Sequence, residues 1–278
     1  MGLARQQVDF IIDNGYFETF IWAWIGLGVI TFAYLFIQPA PYGRHASTHW
    51  GPMIPSWIGW IIMESPSPLL ITFFLYQITP PFDIDHIGVW ILAGLWIVHY
   101  IHRAIIQPLT NPGGNKPMPI IISFSAIFFN LMNGYINGRG LSVYGTHYGR
   151  EWLTAPTTII GLFIFAVGFV INRHADYALL ALRKPGETGY KIPYGFLYEY
   201  ITCPNYFGEI VEWIGFAIAA RSLPAFSFAV WTIANLAPRA VLHHQWYLQK
   251  FPDYPKNRRA LIPLNLFTQP ASNPKKGQ

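Results

Sequence analysis

Glu64 stands in residues 53–76, a stretch otherwise apolar enough to cross a bilayer. A carboxyl group at such a depth costs about 2.5–3.5 kcal/mol on insertion scales, so its presence is a functional-site hypothesis by default. The plainer role is a structural hydrogen-bonding acid. In an apolar cavity its neutral form could donate a proton or a hydrogen bond at neutral pH. A second cluster, His99-Tyr100-Ile101-His102-Arg103, closes the next apolar run. On a helix, His99, His102 and Arg103 fall on one face and Tyr100 on another. Two histidines three apart can ligate a metal, but nothing nearby completes a ligand set, so no metal site is expected. Interfacial anchoring accounts for this cluster equally well. Tyr100 could orient a carbonyl, although most membrane tyrosines are belt residues.

The third constellation is Arg239, His243 and Tyr247, which recur every four residues and so share a helical stripe. A cation, an imidazole and a phenol on one stripe make a phosphate and ribose surface. Anchoring by positive charge explains Arg239 but not the register. No Gly-x-Gly-x-x-Gly follows a strand, so a nucleotide would have to be held by loops and helix ends. A mixed-charge stretch from Asn172 to Trp213 supplies them, with Asp176, Arg183, Lys184, Glu187, Lys191, Glu209 and Glu212 among its polar groups. A solvated loop is the plainer reading of that stretch.

The elements that must position these groups are membrane spans. The chain has 278 residues, 53% hydrophobic, 17% aromatic and 11% charged. Soluble domains average about 25% charged, and 11 Trp with 16 Tyr suit interfacial belts. The fold class read from this is all-α: a polytopic membrane protein, one domain over 1–278. Spans are expected at 16–38, 53–76, 86–106, 120–137 and 152–171, the second kinked by Pro55, Pro66 and Pro68. Residues 206–248 are too long for one span and break at Arg221-Ser-Leu-Pro224, giving seven. With seven spans, most of the 18 basic residues share a side with the C-terminus, while Arg5, Arg139, Arg150 and Arg221 fall opposite. The N-terminus is then outside, the C-terminus cytoplasmic, and the 172–212 stretch faces the cytoplasm, where nucleotide cofactors are found.

No cleavable signal peptide is expected, because Arg5, Asp9 and Asp13 interrupt the opening residues. The single Cys203 excludes an internal disulfide and is read as a small packing residue. The net charge of +5 reads as topology and lipid contact, not nucleic acid. No internal repeat supports an inverted-repeat transporter.

Several strings together resemble the steroid 5α-reductases (3-oxo-5α-steroid 4-dehydrogenases), closest to the family's type 2 members. They are Leu182-Arg-Lys-Pro-Gly-Glu, Tyr190-Lys-Ile-Pro, Asn205-Tyr-Phe-Gly-Glu-Ile-Val-Glu-Trp213, Arg239-Ala-Val-Leu-His-His and Asp253-Tyr-Pro-Lys-Asn-Arg-Arg-Ala-Leu-Ile-Pro263. Upstream, Pro41-Tyr-Gly-Arg-His45, Glu64-Ser-Pro-Ser and His99-Tyr-Ile-His-Arg103 resemble the family's earlier blocks. The resemblance covers most of the chain.

It implies a seven-helix reductase in which NADPH reduces the Δ4 double bond of a testosterone- or progesterone-like 3-oxo steroid. Hydride goes to the enone β-carbon and a proton later to the α-carbon. Glu64 and Tyr100 match the pair that hydrogen-bonds the 3-keto oxygen, where charge develops, and a protonated Glu64 is the better donor. The cofactor positions carry over to Tyr42, Arg103, Asn111, Asn172, Asp176, Arg183, Tyr190, Asn205, Glu209, Arg239, His243 and Tyr247. Arg183 and Arg239 take the phosphates, and Asn205 and Glu209 amide or sugar groups. The substrate cavity falls mainly to helices 1–4 and the NADPH site mainly to 172–259.

One departure is Pro112-Gly-Gly-Asn-Lys116-Pro, where the family tends to carry Arg-Gly-Arg-Pro. Lys116 there takes an arginine's place without its bidentate fork for phosphate. The apolar residues of the first two spans also differ. The expected protein is a monomer in a bacterial inner membrane or the endoplasmic reticulum. Reduction of another sterol or polyprenoid enone is the nearest alternative. An isoprenylcysteine-type methyltransferase using S-adenosylmethionine would leave Glu64 and Tyr100 without a task. A transporter or lipid receptor would leave the Arg239 stripe without one.

Overall fold

A computed structural model describes residues 14–37, 51–78, 84–182 and 189–263. The all-α expectation is met. Helices α1 (Asn14–Ile37), α2 (Ser56–Glu64), α3 (Pro66–Ile78), α4 (Ile87–Ile101), α5 (Gln107–Thr110), α6 (Ile120–Val143), α7 (Arg150–Thr154), α8 (Pro156–Ala181), α9 (Pro204–Ala220) and α10 (Leu223–Lys250) follow in order. The strands among the described residues are β1 (Met53–Pro55) and β2 (Pro117–Pro119), paired antiparallel with Ile54 opposite Met118. Among the described residues, six helical segments are long and apolar enough to cross a bilayer: Gly15–Ile37, Ser56–Gln77, Ile84–Thr110, Ile120–Val143, Pro156–Ala181 and Leu223–Lys250. This is the architecture of a multi-pass membrane protein. At 17 residues, α9 is about 25 Å long, under the length that spans a hydrocarbon core unaided.

The second span is interrupted at Ser65, between α2 and α3, where its prolines predict. Pro66 and Pro68 supply no N–H to the helical ladder. Ser65 Oγ donates back to the Ile61 carbonyl (2.5 Å), a bond that favours bending. The break falls directly after Glu64, on the last residue of α2. In the third span, a π-helical turn over His102–Ile106 joins α4 to α5. Such a turn inserts a residue into the helical register and is often found at functional sites.

Two expectations are corrected. Residues 152–171 are not one span: the helix breaks at Ala155, which is extended, and α8 starts afresh with Pro156 in its first turn. It then continues ten residues further, so Asn172, Arg173 and Asp176 are helical and buried, not parts of a solvated loop. The reason is glycine. Gly161 and Gly168 on α8 face Gly215 and Gly208 on α9, and a Cβ at any of the four would strike the opposite backbone. The two helices touch backbone to backbone, the small-residue packing typical of membrane helix pairs. The fourth span likewise runs past its expected end at 137, because Gly138 and Gly140 seat against Phe74 and Pro224.

At the expected break, Arg221 adopts the left-handed conformation (φ 49°) that ends α9. Ser222 caps α10 by accepting from the Ala225 N–H at 3.4 Å, and Pro224 lies in its first turn. An aromatic core of Trp96, Trp213, Phe216 and Phe228 joins α4, α9 and α10. A second core fixes α1: Trp231 Nε1 donates to the Trp24 carbonyl at 3.0 Å, with the two rings 4.6 Å apart. Cys203 is buried, as a packing residue should be.

Candidate active site

The helix break after Glu64, the π-turn after Ile101 and the close α8–α9 pair bring the polar groups to one place. A cavity of about 580 Å³ opens between α1, α2, α4, α6, α9 and α10. Its walls are apolar, with Trp24, Leu27, Met118, Phe129, Phe228 and Trp231. Its polar patch is formed by Glu64, Tyr100, Arg103, Asn130, Glu209 and Arg239.

Within that patch the groups are chained. The Tyr100 hydroxyl donates to Asn130 Oδ1 at 3.2 Å. Asn130 Nδ2 donates to the Met63 carbonyl (2.7 Å) and to Glu64 Oε2 (3.2 Å). Glu64 Oε1 accepts from Arg103 Nε at 3.0 Å, and Arg103 Nη1 donates to Glu209 Oε2, also at 3.0 Å. Arg103 therefore joins two carboxylates, and its guanidinium lies over the Trp60 ring. Glu64 is buried, as expected, but as an ion-pair partner and not as a lone acid in an apolar wall.

The face assignment for the His99 cluster is corrected as well. His99, Tyr100 and Arg103 all border the cavity, so Tyr100 joins the face it was expected to leave and His102 alone departs from it. His102 turns to α8, where its Nε2 lies 2.8 Å from the Tyr177 hydroxyl and its Nδ1 contacts Arg173. His99 pairs with Glu212, Nδ1 to Oε1 at 2.7 Å.

A smaller hollow of about 230 Å³ is lined by Asn111, Asp176, Tyr190, Lys191, Asn205 and Tyr247, among others. Asp176 organises it, accepting from Asn205 Nδ2 (3.0 Å) and Gln107 Nε2 (3.1 Å). Asn172 Nδ2 donates to the Asn205 carbonyl at 2.8 Å, and its Oδ1 accepts from Arg173. The Lys116 ammonium sits 5.7 Å from the Tyr190 ring. The α10 stripe links the two spaces: Arg239 lines the cavity, Tyr247 lines the hollow, and His243 between them meets the Tyr206 hydroxyl at 3.2 Å. The Tyr247 hydroxyl donates to the Lys191 carbonyl at 3.5 Å. The Tyr198 hydroxyl pins the loop before α9 to α8 by donating to the Ala175 carbonyl at 3.1 Å. Burial holds that phenol well above the usual tyrosine range, so it remains a donor.

The structure thus gathers Glu64, Tyr100, Arg103, Glu209 and Arg239 around one cavity. It gathers Asn111, Asp176, Tyr190, Asn205 and Tyr247 around the adjoining hollow, with Asn172 and Lys116 in contact with them and His243 against Tyr206. Tyr42 and Arg183 lie outside the described residues. Sequence reasoning missed Asn130, Gln107 and Arg173. A signal for the first was present: Asn130, Asn133 and Asn137 repeat at helical spacing inside an apolar span, and all three are buried.

Residues 116–266, from the turn before β2 to beyond α10, match the family model described as 3-oxo-5-alpha-steroid 4-dehydrogenase. The chain belongs to that family. It is 44% identical over 223 residues to the 3-oxo-5-alpha-steroid 4-dehydrogenase 1 of Macaca fascicularis, covering 80% of this chain and 84% of that protein. It is 42% identical over 238 residues to the steroid 5-alpha-reductase DET2 of Gossypium hirsutum, covering 84% and 91%. It is 41% identical over 234 residues to the 3-oxo-5-alpha-steroid 4-dehydrogenase 2 of Rattus norvegicus, covering 82% and 88%. As a member of this 3-oxo-5-alpha-steroid 4-dehydrogenase family, the chain is an oxidoreductase. Asn130, Asp176, Asn205, Glu209 and Arg239 fall inside the matched stretch, whereas Glu64, Tyr100 and Arg103 precede it.

Proposed function

We propose that this enzyme reduces the Δ4 double bond of a 3-oxo-Δ4 steroid, testosterone- or progesterone-like, to the 5α-dihydro product with NADPH. The observation that carries the reading is the chain of contacts Tyr100–Asn130–Glu64–Arg103 bordering a largely aromatic-walled cavity. A rigid apolar substrate with a single ketone matches that layout: broad apolar burial, and a few placed polar groups to orient one end.

The donor set also fits NADPH. Arg239, Arg183 and Lys116 offer cations for phosphates. The carboxylates of Asp176 and Glu209 accept from ribose hydroxyls, and the amides of Asn111, Asn172 and Asn205 suit a carboxamide. Tyr42, Arg103, Tyr190, His243 and Tyr247 complete the proposed contacts. When bound, NADPH supplies the hydride that adds to the enone β-carbon. Tyr100 turns its hydroxyl from Asn130 to the 3-keto oxygen, and Glu64 acts as the second donor there when it carries a proton. Charge grows on this oxygen during reduction, so donors already fixed there lower the barrier. Asn130 holds both groups, and Arg103 ties Glu64 to Glu209. The apolar walls exclude water from the double bond. A proton that comes from solvent completes the addition at the α-carbon.

In this reading α9 is the seventh membrane helix, the N-terminus is outside, and the C-terminus and cofactor hollow face the cytoplasm. The membrane is a bacterial inner membrane or the endoplasmic reticulum, and the enzyme is a single-domain monomer over 1–278. The test is incubation of purified protein with NADPH and testosterone or progesterone, read by product mass and stereochemistry. A gain of two hydrogens with 5α configuration is expected. NADPH binding without conversion would move the substrate to another sterol or polyprenoid enone. Absence of both would reject the reading.

A further inference from the structure

The end of the α9–α10 hairpin remote from Asn205 and Tyr247 carries two further hollows that meet at one residue. A polar basin of about 760 Å³ is lined by Asp85, His147, Arg150, Glu151 and Arg221, with Tyr144. An apolar groove of about 520 Å³ runs between α9 and α10, lined by Ile214, Ala217, Ile218, Leu223, Phe226 and Val230. Arg221 lines both.

The basin is firmly attached to the hairpin. Tyr148 Oη donates to the Ala220 carbonyl (3.0 Å) and Trp152 Nε1 to the Ala219 carbonyl (2.8 Å), satisfying the last turn of α9. Arg221 has a left-handed backbone at the helix end, and its side chain is exposed at the junction of the two hollows. From Arg221 to Ile214 the groove follows about 10 Å of helix, enough for a run of methylenes. Ile214 and Phe226 keep 36% and 47% of their surface open along it.

The charges select the occupant. Arg150 and Arg221 are balanced by Asp85 and Glu151 in the same basin, and Glu18 accepts from the Tyr144 hydroxyl (3.3 Å) at its edge. A purely anionic head would meet the guanidiniums together with the carboxylates. A head bearing both signs meets each with its opposite. We propose that this site binds one zwitterionic glycerophospholipid. Its phosphate lies toward Arg221 and Arg150, its primary ammonium toward Asp85 and Glu151, and one acyl chain in the α9–α10 groove. A bound lipid would brace the turn of the hairpin whose two arms carry Glu209 and Arg239. The site is independent of the proposed steroid chemistry.

Native mass spectrometry of the full chain in detergent tests this, titrating an ethanolamine-headed phospholipid against a glycerol-headed one with the same acyl chains. One ethanolamine lipid per chain is expected, with the glycerol lipid retained about tenfold less, the size of one charge-assisted contact. Arg221→Gly removes the guanidinium without backbone strain, since glycine accepts a positive φ, and Ala217→Phe fills the groove. Each should lower retention about tenfold. Should Arg221→Gly fail to fold, Ala217→Phe and the paired Arg150→Gln and Glu151→Gln variants decide. Equal retention of both heads, unchanged retention in the folded variants, or a second copy of the chain in place of lipid would each overturn the proposal.

Discussion

Asn130 Oδ1 accepts from the Tyr100 hydroxyl while its Nδ2 donates to Glu64 Oε2, so one buried amide holds both groups proposed to meet the substrate ketone. The amide needs both its ends for this. Asn130→Leu keeps the branched shape and removes both. With donors mispositioned at the oxygen where charge develops, kcat should fall about 10²-fold. Cofactor binding, followed by NADPH fluorescence titration, should stay unchanged. An Asn130→Leu enzyme with wild-type kcat would show that Tyr100 and Glu64 do not depend on it.

Glu64→Gln and Tyr100→Phe test the oxygen-binding role directly. Each should slow turnover about 10²–10³-fold and leave NADPH affinity close to wild type. Glu64→Gln also strips Arg103 of one of its two carboxylates, so a Glu64→Gln enzyme that loses NADPH binding would place Glu64 in the cofactor site instead. Unchanged turnover in both variants would remove the pair from the chemistry.

Arg239 lies on the arm of the α10 stripe that borders the cavity, four residues before His243. Losing a charge-assisted phosphate contact should raise the NADPH requirement of Arg239→Ala about tenfold or more. Steady-state titration of NADPH at saturating steroid reads this. A KM for NADPH equal to wild type would exclude Arg239 from phosphate binding.

His99 and Glu212 form a sealed pair, exposed 1% and 0%, at 2.7 Å. Glu212→Ala would leave the imidazole buried without its partner, at a cost of about 3–5 kcal/mol if the pair is charged. A neutral pair would lose less, about 1–3 kcal/mol. Either should lower the thermal midpoint measurably. Glu212→Gln, which retains an acceptor oxygen, should recover most of the loss. Equal midpoints for Glu212→Ala and wild type would show that the pair contributes nothing to stability.

What was legible in the sequence follows the range of the interactions involved. Hydropathy gave six of the seven expected spans, and proline marked the helix break after Glu64 and the break before Leu223, because both effects act within one helical turn. The i, i+4, i+8 register of Arg239, His243 and Tyr247 proved real because α10 is continuous through them. Within the His99 cluster, Tyr100 and His102 depart from the expected face because helix periodicity alone does not say which neighbour stands on which side: the cavity takes Tyr100 and α8 claims His102. Asn172 to Asp176 looked like a loop because polar residues at a span's end usually meet water. Here they meet another helix. That depends on four glycines on two helices, a pairing no local pattern declares.

Those glycines give the last prediction. Gly168 faces the Glu212 backbone and Gly208 the Asn172 backbone, so alanine at either position must push α8 and α9 apart. Overpacking of this kind costs about 1–3 kcal/mol, and it falls where Asn172 and Asp176 must reach Asn205. Gly168→Ala and Gly208→Ala should therefore lower the thermal midpoint and weaken NADPH binding together. Gly26, on α1, has nothing within 4 Å of its would-be Cβ. Gly26→Ala should be neutral or stabilising, by up to about 1 kcal/mol of helix propensity. If all three substitutions behaved alike, glycine flexibility would be the relevant property. A penalty confined to Gly168 and Gly208 would mean that backbone contact between α8 and α9 sets the cofactor hollow.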